Sequence, residues 1–285
     1  MNNIEPAYGT YALPEWRQRL LNLAQAFPVT WLGRRAALIA RRFALSGWRG
    51  PIDGEAEGFR LRVHIADNVS ERKFLFMPQF VDPVERAFIR ERLQEQGGLF
   101  LDIGANAGIY SLTAAGALVG SGKPGGVICV EPNPTMLARL HTNLVLNAYT
   151  QIVRVLPIAL SEGPGEIEFT ISATNLGESG LASGEGSKIR VPCDSLLNVL
   201  NKAGATKVAG MKIDVEGLED RILMPFLRDA SPSLYPGFII IESSQQVWTE
   251  DLLGELGRRG YKLRQRCKMN AIYVFTPEPL QARSA

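Results

Sequence analysis

The sequence predicts an α/β fold in which helices cover both faces of a doubly wound, mostly parallel sheet. Three observations lead to this prediction. Apolar runs typical of buried strands alternate with helix-like segments from residue 99 onward. Several of these strands end in an acidic residue, among them Val127–Glu131 and Val208–Asp214. A turn of small residues, Gly104–Gly108, follows the first strand directly, which is typical of a ligand crevice at the carboxyl edge of such a sheet.

The other elements follow from periodicity and from the residues that begin or end them. Period-two alternation predicts a half-buried strand at Gly58–Ile65. Asp82 is expected to cap a helix that starts at Pro83 and runs to about Gln94. The Gly/Ser-rich stretch 172–187 is expected to form a long loop. Farther along we expect a helix at Pro134–Asn147, a strand at Ile152–Leu156, hairpin arms at Glu166–Ile171 and Lys188–Val191, a helix capped by Asp194, a helix at Leu218–Leu227, a strand at Gly237–Glu242, a helix at Thr249–Arg259, and a terminal strand pair at Tyr261–Arg264 and Ala271–Phe275.

Composition and charge exclude several classes of protein. The formal net charge of +2 is too small to indicate a surface that binds nucleic acid, so no nucleic-acid partner is predicted. The three cysteines, Cys129, Cys193 and Cys267, are too widely spaced for a zinc site or a disulfide framework. The first residues lack the apolar segment of a signal peptide, and no apolar run reaches the ~20 residues that span a bilayer. These features predict a cytoplasmic protein.

We expect four segments: a basic helical segment at 1–50, a strand and helix lead-in at 51–97 that packs on the core, the sheet domain at 98–277, and a tail at 278–285. The first 50 residues hold seven arginines and two acidic residues. Helical periodicity over residues 15–48 leaves two interpretations open. This segment either contacts an anionic membrane peripherally, or it forms helices that pack on the main domain with solvated arginines.

The turn after the first strand has the spacing Asp102-x-Gly104-x-Asn106-x-Gly108. It lacks the third glycine of a dinucleotide site and the Gly-Lys-Ser/Thr of a phosphate-binding loop, so both of those sites are excluded. The two glycines allow close approach of the backbone to a ligand, and asparagine tolerates a left-handed conformation. Asp102 is placed to attract an ammonium group, and Glu131 to accept both hydroxyls of a ribose. S-adenosylmethionine has all of these parts, while the alternative is that both acids belong to ordinary turns.

Three stretches of the sequence resemble the FkbM family of S-adenosylmethionine-dependent methyltransferases. The most specific of them is the core Lys212-x-Asp214-x-Glu216-Gly217. The resemblance covers about residues 60–275 and leaves residues 1–50 unexplained. One departure is Cys193-Asp194, where the family often has Leu-Asp. The stretches that carry the resemblance are Leu101–Gly108, Val130–Pro134 and Met211–Glu219, with Asn143, Asn147, Ala159–Ser161 and Asn175–Ser179 as further similarities.

The resemblance implies a class I, Rossmann-like methyltransferase with a seven-stranded sheet whose last strand is antiparallel. It implies S-adenosylmethionine as the cofactor and methyl transfer to a hydroxyl of a sugar, glycolipid or polyketide-like acceptor, free or linked to a glycan or lipid. Asn133 and Ala159 join the cofactor-binding candidates through it. Two alternatives stay open, a nucleoside-binding domain without catalysis and a membrane-associated scaffold.

Three residues around the fourth strand are the catalytic candidates. Methyl transfer to a hydroxyl needs alignment of the two reacting atoms and a group that takes the proton. Asp214 is the predicted base or hydroxyl acceptor, Glu216 supports it, and Lys212 shares the face of Asp214 by strand alternation. An ion pair of Lys212 with an acid, Glu216 in particular, is the structural alternative.

Two aromatic residues and the two histidines are further candidates for a place near the site. Tyr110 and Trp248 are expected at the same edge of the sheet, with packing at a helix start as the alternative for Trp248. His64 and His141 are expected to have surface or packing roles. No metal site is predicted, because no element carries His, Asp and Glu at the spacing of metal ligands.

Overall fold

The computed structural model describes residues 5–172, 175–176, 186–242 and 245–276. The described chain begins with two helices, an antiparallel hairpin and two more helices. Their bounds are α1 (Glu15–Ala26), α2 (Trp31–Leu45), β1 (Ile52–Ala56), β2 (Phe59–Val63), α3 (Val69–Phe76) and α4 (Pro83–Gln96), with a 3₁₀ turn at Pro78–Phe80. Helices therefore form over most of residues 15–48, as the periodicity predicts.

A central sheet of seven strands follows, and helices connect most of the strands that are consecutive in the chain. Its strands are β3 (Gly98–Ile103), β4 (Gly125–Val130), β5 (Val153–Leu156), β9 (Gly210–Ile213), β10 (Phe238–Glu242), β11 (Tyr261–Arg266) and β12 (Asn270–Phe275). The helices are α5 (Ile109–Ser121), α6 (Pro134–Leu146), α7 (Leu196–Lys202), α8 (Glu219–Asp229) and α9 (Leu252–Arg258). The predicted order of helices and strands is thereby confirmed.

The strands of the central sheet lie in the order β11-β12-β10-β9-β3-β4-β5. The five from β10 to β5 run parallel to one another, whereas β12, the last strand of the chain, is antiparallel to both β10 and β11. This confirms the doubly wound, mostly parallel, seven-stranded sheet with an antiparallel last strand. The strand order reverses direction between β3 and β9, and in such sheets the ligand crevice lies at that point, beyond the carboxyl ends of the strands.

A smaller sheet of three strands flanks the central one. It consists of β6 (Ala159–Leu160), β7 (Gly165–Ser172) and β8 (Gly186–Asp194), in the order β6-β8-β7. The antiparallel pairing of β7 with β8, for example Glu168 with Arg190, confirms the predicted hairpin. The greater part of the predicted loop 172–187 lies outside the described residues. The small sheet places Ala159 and Leu160 next to the carboxyl edge of the central sheet.

Successive residues of each strand point to opposite faces of the central sheet. Their side chains form one apolar core on each face. Phe100 and Ile240 belong to the first core, and their neighbours Leu101 and Ile241 to the second. The first core also contains buried residues of α1 and α2, namely Leu21, Ala24, Ala37, Ala40 and Ala44. The inner faces of the two N-terminal helices therefore pack on the main body of the protein. Among the described residues, no helix is long and apolar enough to cross a membrane.

The predicted cap at Asp194 is wrong by one residue. Ser195 is the N-cap of α7, and its side chain accepts a hydrogen bond from the backbone N–H of Asn198. Asp194 accepts from the side chain of Asn198 at 2.9 Å and forms an ion pair with Lys202 at 2.6 Å. Its carboxylate therefore braces the start and the end of α7 instead of capping it.

Candidate active site

A cavity of 530 Å³ opens at the carboxyl edge of the central sheet. Its volume is in the range of sites for small ligands and cofactors. Six of the ten predicted site residues line this cavity: Gly104, Asn106, Glu131, Ala159, Asp214 and Glu216. The other four, Asp102, Gly108, Asn133 and Lys212, do not line it and lie in the layer that supports its wall.

The turn after β3 requires glycine at its first position. Gly104 has a φ of 78°, and a Cβ there would collide with the backbone oxygen of Asp214. The backbone N–H groups of Gly104 and Ala105 both donate to the carbonyl of Val130, at 3.0 and 3.1 Å. The turn is thereby fixed between β9 on one side and β4 on the other.

Asn106 and Gly108 complete this turn in the left-handed region, with φ values of 51° and 94°. The side-chain oxygen of Asn106 accepts from Asn68 at 2.8 Å and from the backbone N–H of Ala107 at 2.7 Å. Gly108 is the N-cap of α5, and a Cβ there would press against Leu140. The predicted left-handed conformation of Asn106 is confirmed, and its own side chain stabilises it.

Glu131 follows β4 and holds the turn from the opposite side. One carboxylate oxygen accepts from the backbone N–H of Asn106, and the other accepts from that of Asn133, both at 2.8 Å. Burial raises the pKa of Glu131 to about 7, against the two hydrogen bonds that lower it. A carboxylate has about four acceptor positions, so this buried group keeps two for hydroxyls that enter the cavity. These two free acceptor positions fit the two hydroxyl donors of a ribose diol.

Asn133 and Asp102 support the wall from behind. The side chain of Asn133 caps α6 by accepting from the backbone N–H of Thr135. Asp102 is buried, and its carboxylate accepts from the hydroxyl of Ser111 at 2.6 Å. Burial raises the pKa of Asp102 to about 6. Its predicted attraction for an ammonium group would therefore act through the wall, and it stays a prediction.

Lys212 and Asp214 form an ion pair at the end of β9, with 2.9 Å between Nζ and Oδ2. The lysine is buried, while 39% of the Asp214 side chain is exposed in the cavity. Burial alone would lower the pKa of Lys212, but the nearby carboxylates, chiefly Asp214, outweigh it and raise that pKa. The lysine is thus a permanent cation that holds one oxygen of Asp214 in place. The acid partner of Lys212 is Asp214, and not Glu216 as the structural alternative had it.

Tyr110 lines the cavity at the predicted edge of the sheet, where it lies beside this ion pair and contacts Asp82, the residue expected to cap α4. Its ring lies 5.2 Å from the ammonium of Lys212, and its hydroxyl donates to Asp82 at 3.0 Å. Burial, followed by the charge of Asp82, raises the pKa of Tyr110 well above its ordinary value. Asp82 precedes α4, but its side chain makes no capping hydrogen bond. Asp82 and Pro83 therefore occupy the predicted N-cap and first helical positions, but the capping hydrogen bond is missing, because the carboxylate of Asp82 accepts from Tyr110 instead.

Glu219 shapes the turn that carries Asp214 and Glu216. One of its carboxylate oxygens accepts from the backbone N–H groups of Val215 and Gly217, at 3.1 and 3.3 Å. The other accepts from the indole of Trp248 at 2.8 Å. Glu216 lies in the left-handed region with a φ of 57°, and its side chain lines the cavity. Trp248 packs against the second core and braces this turn, so it is not a cavity residue.

Sequence reasoning missed a group of cations that line the same cavity. Arg34 and Arg41 come from α2, Lys73 from α3, and Lys268 from the turn between β11 and β12. The carboxylates of the cavity, in contrast, come mainly from the ends of strands. The high arginine content of the first 50 residues was the available signal. Local periodicity could not show that one side of α2 would face the carboxyl edge of a sheet that begins more than 50 residues later.

The two histidines lie outside the cavity. His64 is half-buried, and burial followed by the charge of Arg139 lowers its pKa. His141 is exposed on α6. Among the described residues, no three His, Cys, Asp or Glu side chains are grouped in a way that could hold a metal ion.

The strand order, the glycine turn and the buried acid at the end of the second parallel strand together define a class I methyltransferase with a Rossmann-like fold. A family model described as the methyltransferase FkbM domain matches residues 102–263, which is more than half of the chain. The chain therefore belongs to the FkbM methyltransferase family, as the sequence motifs predict. Its cofactor is S-adenosylmethionine. No curated protein matches the chain.

Solved structures of methyltransferases are similar to this chain at low sequence identity. An FkbM methyltransferase from Methylobacillus flagellatus KT shares 16% identity and a TM-score of 0.44, over 74% of this chain and 56% of that one. A precorrin-6y C5,15-methyltransferase from Geobacter metallireducens GS-15 shares 15% identity and a TM-score of 0.41, over 67% of this chain and 87% of that one. An O-methyltransferase from Bacillus cereus in complex with SAH shares 14% identity and a TM-score of 0.42, over 69% and 82%.

Proposed function

We propose that this protein transfers the methyl group of S-adenosylmethionine to a hydroxyl oxygen of a sugar, glycolipid or polyketide-like acceptor. The observation that supports this proposal best is the Lys212–Asp214 pair, which presents a partly exposed carboxylate to the cavity that Glu131 also lines. Membership of the FkbM family supports methyl transfer in general. The choice of oxygen rests on the presence of a carboxylate that can take a hydroxyl proton.

In this proposal the residues of the two turns hold the cofactor. Glu131 accepts the two ribose hydroxyls with the acceptor positions that Asn106 and Asn133 leave open. Gly104 brings the backbone close to the methionine part, and Asp102 attracts its ammonium group from behind the wall. Gly108 and Asn133 keep the starts of α5 and α6 in position. Ala159 offers an apolar contact for the adenine base of the cofactor.

The cofactor supplies an electrophilic methyl group on a sulfonium, and the chain supplies alignment and a proton acceptor. Asp214 would accept a hydrogen bond from the acceptor hydroxyl and take its proton as the hydroxyl oxygen bonds to the methyl carbon and the sulfur–methyl bond breaks, with the neutral thioether as the leaving group. A carboxylate is a weak base, but the attacking hydroxyl becomes strongly acidic as it is methylated, so a weak base is sufficient. Lys212 acts as a positioning residue, because it fixes the carboxylate and does not line the cavity. Glu216 lines the same cavity as Asp214 and supports the orientation of the acceptor.

We place this reaction in the cytoplasm. Cys129, Cys193 and Cys267 are free thiols, of which the first two are buried. Unpaired cysteines are typical of proteins that work in a reducing compartment.

The test is incubation of the purified protein with S-adenosylmethionine that carries a labelled methyl group, together with extract of the source cells. We expect label in a product that resists alkaline hydrolysis, because a methyl ether is stable to base whereas a methyl ester is not. The variant Asp214→Asn should bind the cofactor and leave the product unlabelled. Cofactor binding by the unaltered protein without labelled product in any extract would favour the alternative of a nucleoside-binding domain without catalysis.

A further inference from the structure

Helix α2 has three faces with different surroundings. Its inner face consists of Gly33, Ala37, Ala40 and Ala44, which are buried against the first core. A second face, with Arg34, Leu38 and Arg41, lines the mouth of the cavity. The third face points away from the protein and carries Trp31, Leu32, Arg35, Ile39, Arg42 and Phe43. We call this third face the outward face of α2.

The outward face exposes large apolar side chains next to one another. Trp31, Leu32, Ile39 and Phe43 are 65%, 70%, 56% and 63% exposed. Leu32, Ile39 and Phe43 are seven and four residues apart and Trp31 adjoins Leu32, so all four lie on one side of the helix. Trp16 and Leu23 of α1 and Val29 between the helices are also exposed. A contiguous apolar surface of this kind marks an interaction site, because a water-soluble surface ordinarily keeps such residues apart.

The same region is strongly basic. Arg35 stacks on the ring of Trp31 at 4.1 Å, which keeps the cation beside the most exposed aromatic residue. Among the described residues, no acidic side chain forms an ion pair with Arg34, Arg35, Arg41 or Arg42. Burial, and then the charge of Arg72 on α3, lowers the pKa of Arg41. The charge of these arginines would be neutralised by a surface that carries many anionic groups.

We propose that the outward face of α2 docks on an anionic lipid bilayer. Aromatic and aliphatic side chains would enter the boundary between headgroups and acyl chains, and the arginines would contact the lipid phosphates. An anionic bilayer offers both an apolar interior and anionic phosphates, so it matches the apolar and the basic side chains of this face. A protein partner would have to offer an extended acidic and apolar surface, and a second copy of this chain would bring like charges together.

The position of the outward face has a consequence for the acceptor, and this step rests on the proposed function. Arg34 and Arg41 lie on the neighbouring face of the same helix, where they line the cavity mouth together with Lys73. Docking would therefore bring this basic mouth to the membrane surface. Of the acceptor classes proposed above, the structure favours a hydroxyl carried on an anionic glycolipid.

Vesicle flotation with the full-length protein tests the docking. Vesicles of phosphatidylcholine mixed with phosphatidylglycerol are compared with vesicles of phosphatidylcholine alone, at low and at high salt. We expect binding only to the anionic vesicles, weakened by salt because part of the attraction is between screened charges. Quenching of tryptophan fluorescence by brominated phosphatidylcholine in the anionic vesicles reports insertion, and it should fall in the variant Trp31→Phe.

Two double variants separate the apolar and the charged contributions. Leu32→Ser with Phe43→Ser removes exposed apolar groups, and Val119→Ser with Val145→Ser is the matched control on α5 and α6. Arg35→Glu with Arg42→Glu reverses two charges, and Arg190→Glu with Lys262→Glu is the control for net charge. We expect the charge variant to lower the partition coefficient by about 25-fold or more, since each basic residue near an anionic surface contributes about fivefold. We expect the apolar variant to lower it by about tenfold or more, since two large apolar side chains no longer enter the interface. The controls should bind as the unaltered protein does.

Other results would overturn the proposal. Equal binding to neutral and anionic vesicles, or outward-face variants that bind as well as their controls, would contradict docking through this face. A dimer in solution that dissociates in the Leu32→Ser/Phe43→Ser variant would show that a second copy covers it. Cofactor affinity, measured by calorimetry without vesicles, should be unchanged in all of these variants. Failure of docking is therefore distinguishable from failure of the proposed methyl transfer.

Discussion

At the scale of single residues, Glu131 combines two tasks that burial makes costly. Its carboxylate ties the turns after β3 and β4 together through the backbone N–H groups of Asn106 and Asn133. The same group is the proposed acceptor for the ribose hydroxyls. Burial raises its pKa to about 7, so an appreciable fraction is protonated at neutral pH. Both tasks are performed best by the ionised form, which accepts hydrogen bonds at both oxygens.

We predict that Glu131→Gln weakens the binding of S-adenosylmethionine. The amide keeps one acceptor oxygen, which can hold only one of the two turns, and its NH2 group cannot accept from the other backbone N–H or from a ribose hydroxyl. The expected loss is about 1–3 kcal/mol, the usual range for hydrogen bonds to a charged group. Isothermal titration calorimetry measures it, with Glu168→Gln on the exposed side of β7 as the control. Equal affinities for the two variants would exclude Glu131 as the ribose acceptor.

The raised pKa of Glu131 also predicts how stability depends on pH. A carboxyl group whose pKa is about 7 in the native state and about 4.5 in the unfolded state binds more protons when folded between these two values. Stability therefore falls as the pH rises from about 4.5 to about 7. In the absence of cofactor, Glu131→Gln should lose less stability than the unaltered protein over this range, by about 2–3 kcal/mol. Urea unfolding at both ends of the range measures the difference, and parallel profiles would contradict the raised pKa.

Asp214 and Lys212 give a second prediction for single residues. Asp214→Asn should lower turnover about 100-fold or more, the contribution usual for a general base, and change cofactor affinity little. It also leaves a buried lysine without its partner, which is destabilising in itself. The double variant Asp214→Asn/Lys212→Met should therefore recover stability without recovering turnover. Asp229→Asn on the exposed end of α8 is the control. Recovered turnover in the double variant would show that Asp214 has only a structural role.

At the scale of elements, the turn after β3 is the part of the site that tolerates least change. Gly104 combines a positive φ with a position against the backbone oxygen of Asp214. A backbone atom directly after a central strand cannot move aside as a flexible side chain can. The close contact joins the cofactor turn to the turn of the proposed base. A change at Gly104 should therefore disturb both halves of the site together.

Gly104→Ala and Gly122→Ala form a matched pair for this argument. Gly122 ends α5 with a φ of 66°, and nothing lies near the position of its Cβ. Gly122→Ala should lose only about 1 kcal/mol, the cost of a left-handed conformation. Gly104→Ala should lose at least about 3 kcal/mol more, because steric overlap is added to the same strain. Urea unfolding of both variants decides this, and similar losses would mean that the neighbouring strand can move away.

The sequence predicts which strands and turns form this site better than it predicts how deeply each side chain is buried. Parallel strands bring their carboxyl ends to one edge, so the meeting of Glu131 and Asp214 in one cavity follows from the strand pattern alone. Strand periodicity also places Lys212 beside Asp214. The pattern does not say how far a side chain lies from the cavity, and Asp102 is one layer deeper than expected. Asp82 has the sequence of a cap, but a tyrosine 28 positions later offers its carboxylate a hydrogen bond.

At the scale of the whole molecule, the N-terminal helices are joined to the main body by more than apolar packing. The side-chain amide of Gln25 in α1 donates to the backbone oxygens of Glu55 and Leu75, at 2.8 and 2.7 Å. It therefore links α1 to β1 and α3. Because α2 packs on α1 and lines the cavity mouth, this link also supports the outward face of α2. We expect the N-terminal helices to unfold together with the sheet in a single transition.

Gln25→Ala tests this link, and Gln18→Ala on the same helix is its control. Gln25→Ala leaves two backbone oxygens without their donor, so we expect a loss of about 1–3 kcal/mol in the free energy of unfolding. Gln18 donates only to Asn22 in an exposed hydrogen bond, and its replacement should change stability by less than about 0.5 kcal/mol. Urea unfolding, followed by both circular dichroism and tryptophan fluorescence, should give one coincident transition for each variant. Two separate transitions would show that residues 1–50 form an independent unit, since three of the four tryptophans lie in that segment and only Trp248 lies in the sheet domain.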